Sequence, residues 1–289
     1  MSVARVVAES VPGLTQVRSD TDSGPAAPRG AVGLGRALVP VSLLAAAATL
    51  WWPDLLTGTA VMNGSARGTA LVILVLAVPV LAVSIVRGSP RTPWGWAGAL
   101  GATAYLLYNA VLLSFATPFN HAFLLYVAML GLAFWTLALL VPAAVSRPVD
   151  PSRVHRLAAS WIAVVVVLNT LAWLRGIVPA VLGARPTSVL DGTGLTTNPV
   201  YVQDLAIWLP ALAWVAWHLW HGRHTLLAAG ALLFWTLEGV GVAVDQAWGH
   251  HADPSSTVAS AGAVPMFLVV AAVTATALAA LLRRSRTST

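Results

Sequence analysis

Residues 192–210 read GTGLTTNPVYVQDLAIWLP. A polar, turn-rich approach gives way to an apolar run, and Asp204 sits four residues inside that run. A carboxylate just inside a membrane segment is expensive, and such groups mark functional positions. Composition supports the membrane reading. The chain has 289 residues, 58% hydrophobic and 9% charged, whereas soluble domains average about 25% charged.

Working outward from this stretch, eight apolar segments have the roughly 20 residues that a bilayer-spanning helix needs. They fall at 37–54, 68–87, 94–115, 121–145, 157–175, 200–220, 225–246 and 261–282. The expected fold class is all-α, a polytopic transmembrane bundle of about eight helices. The first segment is the weakest, because Pro40 and Pro53 bracket it. Residues 1–36 read as a disordered cytoplasmic tail, 37–282 as the bundle and 283–289 as a basic cytoplasmic tail. The longest link, 176–199, is expected to open with an interfacial turn at Ile177, Val178 and Pro179 and to fold over one face. A tandem four-plus-four repeat has one short sequence trace, Thr49-Leu50-Trp51-Trp52 against Thr170-Leu171-Ala172-Trp173.

The net charge is +6, and all 16 basic residues are arginine. They are spread singly along the chain, which fits membrane orientation and not nucleic-acid binding. Most flank one side: the two tails and the links after the second, fourth and sixth segments. Only Arg67, Arg175 and Arg185 fall on the other. The positive-inside rule then puts both termini in the cytoplasm of a cell membrane. The absence of cysteine excludes disulfides, thiol catalysis and thiolate metal sites. No P-loop, dinucleotide fingerprint, H-E-x-x-H or nucleophile elbow is present, so no cofactor is expected.

At about 1.5 Å per helical residue, Asn109, Asn169, Glu238 and Asp204 lie about 20–26 Å from the arginine-rich face. That places all four in the outer third of a hydrocarbon core about 30 Å thick. Asp245 follows Glu238 by seven residues, so both face the same way. The loop TPFNHA (116–121) adds Asn120 and His121 at the expected mouth. Gly98, Ala102, Tyr105 and Asn109 form one stripe, small toward the cytoplasm and polar toward the outside. Each Asn has a plainer reading as an interhelical hydrogen bond. Asp204 could cap a helix or pair with Arg175 or Arg185. Glu238 has only distant arginines, which favours a functional role.

Two histidine clusters carry less. His218, His221 and His224 alternate with Trp214, Trp217 and Trp220 and read as an interfacial aromatic belt. Asp245, His250, His251 and Asp253 offer zinc-type donors, but their spacing matches no strong motif, so no metal site is assigned.

The segments YLLYNAVLLSFATPFNHAFLLYVAMLGLAFW, from Tyr105, and TNPVYVQDLAIWLPALAW, from Thr197, resemble a family of uncharacterised bacterial multi-pass membrane proteins with an actinobacterial-like bias. Tyr108, Asn109, Phe119, Asn120 and Asp204 carry the likeness, which implies a topology and no activity. The expected function is an outward-facing polar pocket for a small polar or cationic solute, with proton coupling through Glu238. Expected partners are the lipid bilayer and that solute, and no nucleic acid. The alternatives are a structural or accessory membrane protein, and an outer-face or intramembrane enzyme, metal-assisted in one version.

Overall fold

The structure, a computed structural model, describes residues 26–85, 90–145 and 150–287. Among these residues, eight helices are long and apolar enough to cross a membrane: α1 Arg29–Trp51, α2 Ala60–Ile85, α3 Pro93–Phe115, α4 Phe123–Ala143, α5 Arg153–Leu182, α6 Pro199–Trp220, α7 Thr225–Ala252 and α8 Val264–Thr287. There is no strand among the described residues. The chain is an all-α, multi-pass membrane protein.

Local chemistry sets the helix starts. Thr92 and Asn198 each precede a proline at the first helical position, where a missing N–H costs nothing. The Thr92 hydroxyl accepts from the Gly95 N–H at 3.1 Å. The Asn198 Oδ1 accepts from the Val200 N–H at 3.0 Å. Ser152 and His155 cap each other at the start of α5. The four-residue link between α6 and α7 turns through Gly222 at φ 70° and His224 at φ 57°.

Several boundaries differ from the sequence reading. α1 begins at Arg29, so residues 29–36 are helix and not tail; the expected disorder at 1–25 lies outside the described residues. α2 begins eight residues earlier than expected. α5 runs through Pro179 to Leu182 without the predicted turn; at 30 residues it is about 45 Å long and overhangs the hydrocarbon. α8 runs through Thr287, so residues 283–287 continue the helix.

Two helices widen into π turns, Ile73–Ala77 in α2 and Asp204–Trp208 in α6. The cause is written just downstream. Pro79 and Pro210 each lie two residues past the widening, and each has no N–H for the carbonyl four residues back and a ring that clashes with it. Those carbonyls belong to Val75 and Ala206, inside the two π turns, and the extra residue relieves the clash.

α7 is the hub of the bundle, packed by α2, α3 and α8. Small residues bring it close on every side. A methyl at Gly64 or Gly68 of α2 would meet the backbone of Trp248 or Val244 at 2.6–2.9 Å, and one at Gly239 would lie 2.9 Å from Ala271 of α8. α3 is the most enclosed helix, with 72% of its apolar window buried, against 22% for α5 and α8. α5 turns Val164, Val167, Leu168 and Leu171 outward, an apolar wall fit for lipid. The layout repeats: α1 packs on α2 and α4, and α3 on α4, just as α5 packs on α6 and α8, and α7 on α8. The second helix of each set carries the π turn and its proline. The α3–α7 seam lies between the two sets.

Candidate functional site

The site grows from that seam. Tyr105, Tyr108 and Asn109 of α3 are all buried, and Tyr105 and Tyr108 face the α7 segment that carries Glu238. Gly241, three residues beyond Glu238, has no side chain because the Tyr105 hydroxyl occupies the space: a Cβ there would lie 2.5 Å from it. The Tyr105 hydroxyl has no well-formed hydrogen-bond partner among the described residues, although Asn109 lies beside it.

Glu238 is within electrostatic reach of both Asp204 and Asp245. It makes no ion pair with any described residue, where Arg185 with Asp191 at 2.8 Å is the one ion pair present. Protein surrounds Glu238 and Asp245 densely, yet both retain accessible surface.

Asp204 opens the π turn of α6 and is 6% exposed. It pairs with neither Arg175 nor Arg185. The Trp173 indole N–H of α5 donates to its Oδ2 at 2.8 Å, and Trp173 packs on Tyr201 with ring centroids 5.0 Å apart. Its neighbour Gln203 binds across to α3, its amide donating to the Tyr108 carbonyl at 3.4 Å and its Oε1 accepting from the Trp208 indole at 3.2 Å. Trp208 stacks on Phe234 of α7 at 4.8 Å, and Tyr108 closes the group at 5.9 Å from Phe234. This aromatic and amide cluster joins α6 to α3 and α7, while α6 packs chiefly on α5.

The remaining candidates divide. Asn109 spends its amide on the Tyr105 carbonyl at 2.9 Å. Asn169 lies one turn from Trp173 on the same face of α5, and its Oδ1 is buried with no hydrogen-bond partner among the described residues. Asp245 lies at the α2 crossing, where Ser65 donates to its backbone carbonyl at 3.4 Å. Asn120 closes its own loop, bonding Pro118 and Ala122, and His121 stacks on Trp52 at 5.7 Å. Neither is brought to the carboxylates.

The α7–α8 loop is held in part by its own hydrogen bonds. Ser255 donates to Asp253 Oδ1 at 2.6 Å, which holds that carboxyl below its ordinary range. No three metal-type donors converge among the described residues. His218, His224 and Trp214 stack on one another, centroids 4.2–5.3 Å apart.

Sequence reasoning missed Trp173, Gln203 and Trp208, whose indoles and amide read as membrane anchors and filler. It also put Arg67 in an outer flank. The structure puts Arg67 in the second turn of α2, half-buried, with its Nε unpartnered among the described residues. It directly precedes Gly68, where a Cβ would lie 3.2 Å from the Asp245 Cα.

No protein-family model, no curated protein and no solved structure matches this chain.

Proposed function

We propose that this membrane protein binds a small cationic solute at Glu238, flanked by Asp204 and Asp245, and couples its passage to a proton carried by Glu238. The observation that carries the reading is the Glu238 carboxylate. It is mid-helix, three residues before the Gly241 that meets Tyr105, within electrostatic reach of two further carboxylates and with no ion-pair partner among the described residues, yet it keeps accessible surface. Intramembrane carboxylates of this kind mark ion and proton pathways. A cation would neutralise the cluster, and the tyrosine rings offer it π faces. The half-repeat layout supports the same position, since parallel-repeat transporters place their sites between the repeats. Location in a cell membrane with cytoplasmic termini, and kinship with bacterial multi-pass proteins, belong to the same proposal.

A structural role is the second reading, favoured by the local hydrogen bonds of Asn109 and Asn120. Reconstituted vesicles with an imposed pH gradient separate the two. Alkali ions and a quaternary ammonium are added in turn while lumenal pH is followed. Under the proposal, at least one of these cations dissipates the gradient with wild-type protein and none does with Glu238→Gln. No dissipation by wild type with any of them, or full dissipation by the variant, overturns it.

A further inference from the structure

Away from the carboxylates, a groove of about 440 Å³ opens where α5 and α8 meet. Leu157, Ala158 and Trp161 form one wall, and Val273, Ala277 and Ala280 the other. The alanines leave room that larger side chains would fill. The indole N–H of Trp161 donates to the Thr274 hydroxyl at 2.9 Å, so the ring's polar atom is already satisfied and its hydrocarbon faces remain. The groove is apolar because of this.

One end of the groove is basic. Arg153 lies one turn before Leu157 on α5, and Arg283 and Arg284 lie three and four residues after Ala280 on α8, so they extend the two walls. All three are exposed. Arg153 and Arg283 form no ion pair with any described residue, and the Arg284 charge reaches the buried His155 in the first turn of α5. An apolar trough ending in guanidinium groups at the edge of a membrane-spanning helix pair complements an acyl chain ending in a phosphate.

We infer that the α5–α8 groove holds one anionic phospholipid, its acyl chain along Trp161 and Ala277 and its phosphate among Arg153, Arg283 and Arg284. Any bilayer lipid can lie against an apolar wall. The arginines add selectivity for an anionic headgroup, since basic pockets between membrane helices recognise such groups and guanidinium binds phosphate through two parallel hydrogen bonds. The inference is independent of what Glu238 does.

Native mass spectrometry of the full chain tests it, with the protein extracted in equal phosphatidylglycerol and phosphatidylcholine of matched acyl chains. Wild type should retain one phosphatidylglycerol in preference to phosphatidylcholine. Arg153→Gln and Arg283→Gln should each reduce that preference by about fivefold, the factor for about 1 kcal/mol per arginine. Ala277→Trp, which fills the groove, should reduce retention of both lipids; Val273→Trp serves the same end if the first variant melts early. Arg223→Gln, an arginine outside the groove, should leave the preference unchanged. Retention blind to headgroup, an equal effect from Arg223→Gln, or a wild-type dimer that Ala277→Trp splits would each overturn the inference, the last by showing a second copy in the groove.

Discussion

Replacing Gly101 by valine tests the α3–α7 crossing on which the site is built. A Cβ at Gly101 would lie 2.6 Å from the Cβ of Leu233 and 2.9 Å from the carbonyl oxygen of Gly230. Ordinary carbon–carbon contact begins at about 3.5 Å, so the helices must part by about 1 Å. The nearest atoms are a Cβ and a backbone carbonyl, and neither can swing aside. Overpacking of this kind costs about 1–3 kcal/mol, and valine, with three added carbons, belongs at the upper end. Glycine's poor helix propensity returns only about 0.4 kcal/mol, which leaves a net loss of about 2–3 kcal/mol. Gly131 of α4 supplies the control, because a Cβ there meets nothing within 4 Å. Thermal melting of the two variants in one detergent should show Gly101→Val well below wild type and Gly131→Val close to it. Equal shifts would refute the crossing, and with it the placement of Tyr105 against Gly241.

Trp173→Phe removes the indole hydrogen bond to the buried Asp204 side chain and should cost about 1.5–3 kcal/mol; Asp204→Asn keeps an acceptor and should cost less, and an unshifted melt for Trp173→Phe would show that the bond contributes nothing. Gly98→Leu should destabilise the bundle, since a side chain there runs into the Ser84 hydroxyl of α2; an unchanged melt would place that stripe against lipid. The chain has no cysteine, so single cysteines report topology cleanly. In intact cells, one at Ser188 should react with an impermeant maleimide and one at Asp150 should not, and the opposite pattern would invert the orientation.

The helix count was legible because each span is an uninterrupted apolar run and the polar links between them are short. Gly98 was readable as a packing residue because a small stripe at helical spacing has few other uses. Helix ends were less legible. Gly30, Val32 and Leu34 continue α1 upstream of the hydrophobic stretch, where composition alone looks like a tail. Pro179 misled because composition marks a proline but not whether the helix carries it, as α5 does through Leu182. In the site, Glu238 and Asp204 stood out as charges in apolar surroundings. Trp173 did not, since an indole that binds a carboxylate and one that anchors at an interface have the same sequence signature. Asn120 shows the converse: its polarity is consumed by its own loop, a pairing that depth along a helix axis cannot reveal.

The widened turn beginning at Asp204 has a further consequence, which is one of phase. An α-helix advances about 100° per residue, so the residue absorbed by a π turn offsets everything on its far side by about that angle. Deleting Leu205 would restore a regular helix, swing Tyr201 and its neighbours by about 100° and carry them off Trp173, whose ring now lies 5.0 Å away. Pro210 fixes where that offset falls. If the widening migrated toward Pro199, the carbonyl of Ala206 would return to a regular turn and meet the proline ring. A proline two residues past a widened turn thus acts as a pin that sets the phase of its helix, and Pro79 does the same in α2.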